Sequence, residues 1–159
     1  MDELDEKDGR IMDILRGDSR RSTQSIATEL DIPRVTVYDR IRRMQEKGLI
    51  RRFTVEMGAD EMGWQLNAFI LANWHGDRGL TDRREVANEI CEHEFVKSCH
   101  IVTGQWDFVI EVVARDMEDL GDSILDRLSS IEGMGHTQTM VSFYDFEGPA
   151  SWLASWGDP

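Results

Sequence analysis

The sequence has little that would suit a secreted, membrane-bound or metal-binding protein. Cys91 and Cys99 are the only cysteines among 159 residues, too few for a disulfide framework or a zinc site of four thiolates. No apolar run is long enough to cross a bilayer, and the opening MDELDEKDGR lacks the basic-then-apolar order of a signal peptide. These absences predict a soluble, cytoplasmic protein with no membrane partner, no metal and no cofactor.

Lysine is also scarce, and positive charge is outweighed by negative charge. The chain has 3 Lys and 15 Arg against 31 acidic residues, for a formal net charge of −13. Such acid-rich, lysine-poor chains resemble proteins from cells with molar internal salt, as in halophilic archaea. If the protein binds DNA at such salt, counterion release drives little of the binding, and the salt slope is expected to be near zero.

The negative charge is distributed unevenly, which divides the chain in two. Residues 1–52 hold 12 basic and 11 acidic side chains, whereas residues 53–159 hold 6 and 20. Within the first part, residues 19–52 carry nine basic and four acidic side chains, a net of +5. A polyanion such as DNA is therefore expected to bind there.

The first part has the pattern of three short helices. Apolar residues recur at helical spacing between Leu4 and Leu15, and Ser22 offers a hydroxyl to cap a second helix. A tight turn at residues 31–33 leads into a third helix, about Pro33 to Lys47, which Gly48 ends. This order is typical of a winged-type helix-turn-helix domain, whose last helix enters the major groove.

The side of the third helix opposite Val37, Ile41 and Met44 is predicted to face DNA, with a solvated charged face as the alternative. Arg side chains bind guanine or phosphate, Tyr and Thr hydroxyls donate to phosphate, and the start of the second helix faces the backbone. The predicted DNA-contacting residues are Ser22, Thr23, Gln24, Arg34, Thr36, Tyr38, Arg40, Arg42 and Arg43.

After the third helix, residues 49–55 have a β-like pattern, and residues 53–63 are predicted to form a β-strand linker. A second domain follows at residues 64–146. Its predicted order is strand Leu66–Trp74, helix Thr81–Cys91, strand Val96–Val102, a turn at Gly104, strand Phe108–Ala114, helix Met117–Ile131 and strand Gly135–Phe143. This βαββαβ order predicts a ferredoxin-like sandwich, so the whole chain is expected to be α+β.

Two of these strands are apolar on nearly every residue, over residues 68–72 and 108–113. A sheet with helices on one face alone should alternate instead. The other face therefore needs a cover, and the same face of a second copy is the simplest one. A homodimer of this kind would present two helix-turn-helix units to a pseudo-palindromic operator in double-stranded DNA.

Residues in both halves resemble the Lrp/AsnC family, the feast/famine regulators of bacteria and archaea, over roughly residues 2 to 146. In the first half these are Leu4, Asp5, Asp8, Ile11, Asp18 and Ser22, then Val37, Arg40, Ile41, Met44, Gly48, Leu49 and Ile50. In the second half they are Val96, Cys99, His100, Val102, Thr103, Gly104 and Asp107, with Thr137 and Thr139.

The resemblance implies a transcription regulator whose dimers often stack into octamers, and which binds an amino acid between dimers beside residues 104–107. A zwitterion needs amides and hydroxyls for its carboxylate and an acid for its ammonium group. The residues expected to bind this effector are His100, Thr103, Gly104, Trp106, Asp107, Thr137 and Thr139. In the alternative reading, Gly104 only permits the turn and Asp107 only caps it.

The chain departs from the family pattern in two places. Pro33 stands where a Ser often caps the third helix, so a proline first turn is expected to replace that cap. Residues 147–159 form an additional tail, in which Trp152 and Trp156 lie four apart. If the tail is helical, both rings pack on the sandwich or on a neighbouring subunit; a disordered tail is the alternative.

Two other functions compete with this one. Siroheme decarboxylases resemble the same family, but they need a cluster of basic side chains, for which Asn73, Trp74 and His75 are a poor substitute. A metal or redox sensor would use cysteine and histidine side chains: Cys91, His93, Cys99, His100 and His136. Cys99 and His100 are adjacent on a strand and point to opposite faces. No catalytic constellation stands out, so no enzyme activity is expected.

Overall fold

The computed structural model describes residues 4–76, 82–151 and 153. The chain divides into two compact units, and the second comprises residues 57–146. The expectations for Thr81, Trp152 and Trp156 lie outside the described residues. No helix in the described ranges combines the length and the apolar character that crossing a bilayer requires.

Three helices form the first unit, and local side-chain caps fix where two of them begin. They are α1 (Glu6–Gly17), α2 (Thr23–Leu30) and α3 (Arg34–Glu46). The Asp5 carboxylate accepts the Asp8 N–H at 2.9 Å, and Asp8 accepts from the Asp5 N–H at 3.4 Å, a reciprocal capping box. The Ser22 hydroxyl accepts the Ser25 N–H at 3.1 Å, which confirms Ser22 as the cap of α2.

The beginning of α3 differs from the expectation for Pro33. Pro33 is the residue before the helix, with φ −57° and ψ 139°, and no side chain caps α3. Because a residue with this ψ is extended, proline cannot also serve as the first helical residue. The core of the unit consists of apolar side chains from all three helices: Ile11, Leu15, Ile26, Ala27, Val37 and Met44.

Within the single chain, residues 53–63 do not form the predicted β-strand linker. Residues 51–57 carry no strand, and Asp60–Met62 form a single 3₁₀ turn. A strand exists only when its amides and carbonyls pair with a neighbour. Within the described part of the chain, no strand pairs with this segment.

The second unit is the predicted βαββαβ sandwich. Its elements are β1 (Leu66–Trp74), α4 (Arg83–Cys91), β2 (Val96–Ile101), β3 (Phe108–Ala114), α5 (Met117–Asp122) and β4 (Met134–Val141). The antiparallel sheet has the order β2-β3-β1-β4, with Ile70 opposite both Ile110 and Thr139. The bounds of β1 and β3 match the prediction at both ends.

The second helix of this unit is shorter than the predicted Met117–Ile131. After α5, Ser123–Arg127 form a π-helical turn and Leu128–Ser130 a 3₁₀ turn. The Ser129 hydroxyl donates to the Ile124 carbonyl at 2.8 Å, competing with the backbone amides for that acceptor. Met117 at the start of α5 is 62% exposed, whereas Leu120 and Leu128 are buried.

The two faces of the sheet differ. Alternate residues of β1 and β3 are fully buried against α4, α5 and the turns after α5; they are Ala68, Ile70, Ala72, Phe108, Ile110, Val112 and Ala114. The residues between them are only half-buried. The core therefore lies on one side of the sheet, which we call the helix side, and the other is the open side.

Candidate functional site

The outer surface of α3 is exposed along its whole length. Tyr38 is 57% exposed, the Arg42 side chain is 62% exposed and Thr36 is half-buried. Arg42 lies 3.3 Å from the equally exposed Glu46, a surface ion pair that adds little to stability. These side chains are placed as expected for a helix that presents one face to a partner.

Arg40 is the exception, because it points back into the domain. Its guanidinium lies 2.7 Å from both Asp5 and Asp8 of α1, and its side chain is only 18% exposed. These partners raise the pKa of Arg40, through the hydrogen bond to Asp8 first and Asp5 second. The expectation that Arg40 faces solvent or DNA therefore does not hold in this structure, since two carboxylates 32 and 35 residues away hold it.

Arg43 lies between this buried cluster and the surface. Its Nη2 is 3.2 Å from Asp8, whose side chain is 5% exposed, while the Arg43 side chain remains 49% exposed. The hydrogen bond from the Asp8 backbone and the Arg40 guanidinium also lower the pKa of Asp5. One buried carboxylate thus links α1 to two arginines of α3.

The starts of α2 and α3 lie next to one another. Arg34 Nε donates to the Thr23 hydroxyl at 3.3 Å, while Ser22 is used as the cap of α2 and Gln24 is exposed. Because no side chain caps α3, its first amides have no side-chain acceptor among the described residues. Helix starts of this kind suit a phosphate oxygen.

The open side of the sheet is mostly apolar at its centre. Half-buried apolar residues on it are Phe69, Leu71, Val109 and Val113, with Met140 43% exposed beside them on β4. At one end, the Asn67 amide donates to Glu111 at 3.3 Å, but the Asn67 Oδ1 is buried without a donor in the described residues.

The turn between β2 and β3 is fixed to β1 by Asp107. Gly104 has φ +120°, which side chains disfavour. The Asp107 N–H donates to the Ala72 carbonyl at 3.0 Å, and its Oδ2 accepts the Trp74 N–H at 2.9 Å. Its Oδ1 lies 2.9 Å from Arg83, so both carboxylate oxygens have partners within the unit.

The other predicted effector residues do not meet in one copy. His100 lies opposite Val109, on the open side, whereas Thr137 and Thr139 lie opposite Ala72 and Ile70, on the helix side. They also stand on the two edge strands, β2 and β4. Within a single chain, the seven residues therefore form no common pocket.

Sequence reasoning missed two ring contacts around this turn. Arg83 stacks over the Trp74 ring at 4.9 Å, and Trp74 Nε1 is buried without an acceptor in the described residues. The Trp106 and His136 rings stack with centroids 5.9 Å apart, which joins the turn to β4. No sequence spacing signals these contacts. Arg83 reaches Trp74 from the start of α4, and the pairing of β1 with β4 brings His136 to the turn.

The cysteines and histidines do not assemble into a site. Burial, together with the nearby Cys91, raises the pKa of the Cys99 thiol to about 12. Among the described residues, no three His, Cys, Asp or Glu side chains are grouped to hold a metal ion.

Asn73, which was considered above for an enzyme site, binds the turn instead. Its side-chain amide donates to the Gln105 carbonyl at 2.8 Å.

A helix-turn-helix unit with an arginine-bearing outer face, joined to a βαββαβ sandwich, defines a DNA-binding transcription regulator with a ligand-binding domain. Residues 4–51 match the model of winged helix-turn-helix DNA-binding domains, and residues 68–146 match that of the Lrp/AsnC ligand binding domain. The chain belongs to the Lrp/AsnC family, and its relatives are named as regulators rather than enzymes.

Curated relatives match almost the whole chain. It is 39% identical over 140 residues to an uncharacterised HTH-type transcriptional regulator of Pyrococcus horikoshii, covering 88% of this chain and 93% of that protein. It is 31% identical over 138 residues to the HTH-type transcriptional regulator FL11 of Pyrococcus abyssi, covering 87% and 88%.

Solved structures share the fold. The complex of a transcriptional regulator from Neisseria meningitidis with L-Met has a TM-score of 0.84 at 22% identity, covering 95% of this chain and 97% of that one. AsnC of E. coli has a TM-score of 0.82 at 18% identity, covering 90% and 94%.

Proposed function

We propose that the protein binds a pseudo-palindromic operator in double-stranded DNA as a homodimer, with one α3 in each half-site. The observation that carries the proposal is the apolar open side of the sheet. Phe69, Leu71, Val109 and Val113 are half-buried in a single copy, although β1 and β3 are the two central strands. A second copy of the same face would bury these side chains and pair two DNA-binding units.

Val109→Glu tests the dimer, because it places a carboxylate in the centre of the open side. We expect the variant to be monomeric by light scattering and to bind the operator at least tenfold more weakly, on the order of 1.4 kcal/mol. Leu125→Glu is the matched control, since Leu125 is 73% exposed and follows α5 on the helix layer. A dimeric Val109→Glu protein with unchanged affinity would exclude this interface.

We also propose that an amino acid or a similar metabolite binds beside the turn at residues 102–107, between dimers assembled into octamers. Gly104, Thr103 and Trp106 are accessible or half-buried there, and His100, Thr137 and Thr139 would join from other copies. Asp107 already binds Arg83 and the Trp74 amide. Its proposed role is therefore to hold the turn, with any contact to a ligand ammonium shared with Arg83.

A thermal-shift screen of the twenty amino acids tests this proposal, starting with methionine because a regulator of the same fold was solved with L-Met. A ligand at a hundred times its Kd would stabilise the sandwich by about 2.7 kcal/mol. Gly104→Ala should abolish the shift because φ +120° strains a side chain, whereas Gly148→Ala, with open space around it, should not. Absence of any shift among the twenty would count against an amino-acid effector.

A further inference from the structure

The outermost line of α3 contains an acid where a DNA-binding surface is expected to be basic. Val35, Asp39 and Arg42 follow one another at i, i+4 and i+7 and therefore lie on one face. With 100° per residue, this line is nearly opposite the buried Val37 and Met44. It is the part of α3 farthest from the core of its unit.

None of these three side chains contributes to that core. Val35 is 70% exposed, and Asp39 is exposed, with no ion pair or hydrogen bond among the described residues. Arg42 has only its surface pair with Glu46, at 3.3 Å. Stability of the domain therefore does not explain the types of residue found here.

Each residue matches a different group in the major groove. A carboxylate accepts a hydrogen bond from the N4 amino group of cytosine, Arg binds O6 and N7 of guanine, and an apolar group contacts the thymine methyl. An acid close to phosphates is repelled unless it is paired with such a donor. The three side chains span about 10.5 Å along the helix axis, about three base-pair steps.

We propose that Val35, Asp39 and Arg42 determine the operator sequence, with Asp39 selecting a cytosine, Arg42 a guanine and Val35 a thymine in each half-site. This rests on the proposed function, in which α3 enters the major groove. Asp39 lowers the affinity for every duplex that lacks the cytosine, because its charge repels the phosphates. The protein thereby gains specificity for the operator sequence. Arg40 takes no part, since its guanidinium is held by Asp5 and Asp8.

Selection from a library of random duplexes with the full chain tests the assignment of Asp39. The wild-type protein should enrich a two-fold symmetric motif with a cytosine in each half. Asp39→Asn should enrich an adenine at that position, because an amide pairs with N6 and N7 of adenine. Asp13→Asn is the matched control; it removes the same charge from an exposed ion pair on α1 and should leave the motif unchanged.

A second readout separates base recognition from a structural role. Asp39→Ala should bind the selected duplex about fivefold or more weakly while binding random duplexes more tightly than the wild type, because a repelling charge is lost. Replacing the assigned thymines by deoxyuridine should weaken binding of the wild type, whereas Val35→Ala should be indifferent to that replacement.

The outcomes are distinct. If the wild type enriches no motif, the proposed function fails. If it enriches a motif that Asp39→Asn leaves unchanged, or one without a cytosine in each half, the operator-reading role of Asp39 is overturned while the proposed function stands. Circular dichroism of each variant confirms that it is folded.

Discussion

The two units of the chain are stabilised by different interactions. The helix-turn-helix unit has a core of six buried apolar side chains and a buried carboxylate, Asp8, at the centre of an ion-pair cluster. The described part of the sandwich has thirteen buried apolar side chains in one cluster. The helix-turn-helix unit therefore depends on ion pairs that also position α3, whereas the sandwich depends on apolar burial.

Replacing Asp8 should have the largest effect on the stability of the helix-turn-helix unit. Asp8→Ala removes the buried carboxylate that contacts Arg40 and Arg43 and leaves Arg40 paired with the half-exposed Asp5 alone, which should destabilise the helix-turn-helix unit by up to about 3–5 kcal/mol. Helical circular dichroism during urea titration measures the loss. Trp64, Trp74 and Trp106 lie in the sandwich and no Trp occurs in the first 56 residues. With Trp152 and Trp156 of the tail replaced by Phe in every protein compared, Trp fluorescence should report an unchanged sandwich. Asp13→Ala, which breaks an exposed pair, should change stability by no more than about 1 kcal/mol.

A substitution in the apolar core should destabilise the sandwich instead. Ile110 is fully buried at the centre of β3, so Ile110→Ala should destabilise this unit by about 2–5 kcal/mol, from lost burial and the cavity left behind. The transition followed by Trp fluorescence should move to lower urea. If instead both units respond equally to Asp8→Ala and Ile110→Ala, the two units unfold together and their stabilities are not independent.

Cys99 provides a chemical reporter of the sandwich. Burial and the nearby Cys91 raise its pKa from 9.0 to about 12, so at pH 8 about a thousandfold less of it is thiolate. Exposed Cys91 should react with a thiol reagent at once and Cys99 only on unfolding. The Cys99 thiol should stay protected from labelling in Asp8→Ala. In Ile110→Ala it should become reactive at a lower urea concentration than in the wild type. Fast labelling of both thiols in the native protein would contradict the burial.

The smallest expected effect is that of pH on the helix-turn-helix unit. Backbone and Arg40 hydrogen bonds lower the pKa of Asp5 from 3.8 in the folded state. The stability it contributes is therefore present above pH 3.8 and is lost as the pH falls through the folded value. Between pH 5 and 3 the loss should be smaller in Asp5→Asn than in the wild type. An identical pH profile for both proteins would exclude this contribution.

Much of the fold follows from local patterns in the sequence. Ser22 and the periodicity of Val37 and Met44 predicted α2 and α3, and the continuous apolar runs located β1 and β3 at both ends. Local patterns cannot show a contact between Asp8 and Arg40, because 32 residues separate them. The same reason hid the stack of Trp106 on His136, which depends on the pairing of strands distant in sequence.

The segment between the two units shows a second reason why sequence patterns can fail to predict structure. Residues 49–55 have the composition of a strand, yet composition cannot supply the partner that a strand requires. The predicted site residues also fall into two groups, one that local patterns can predict and one that they cannot. The outer face of α3 is a local property of one helix, and its exposed residues lie where periodicity puts them. The predicted effector residues depend on several strands and on contacts between copies.

The central claim is that the outer face of α3 binds DNA, and Arg42 tests it most directly. Its only partner among the described residues is exposed Glu46, so Arg42→Ala should leave stability and dimer mass unchanged. Fluorescence anisotropy with the selected duplex should show binding weakened about tenfold or more, while Arg10→Ala, an exposed change on α1, binds like the wild type. Equal affinity of Arg42→Ala and wild type would contradict the claim.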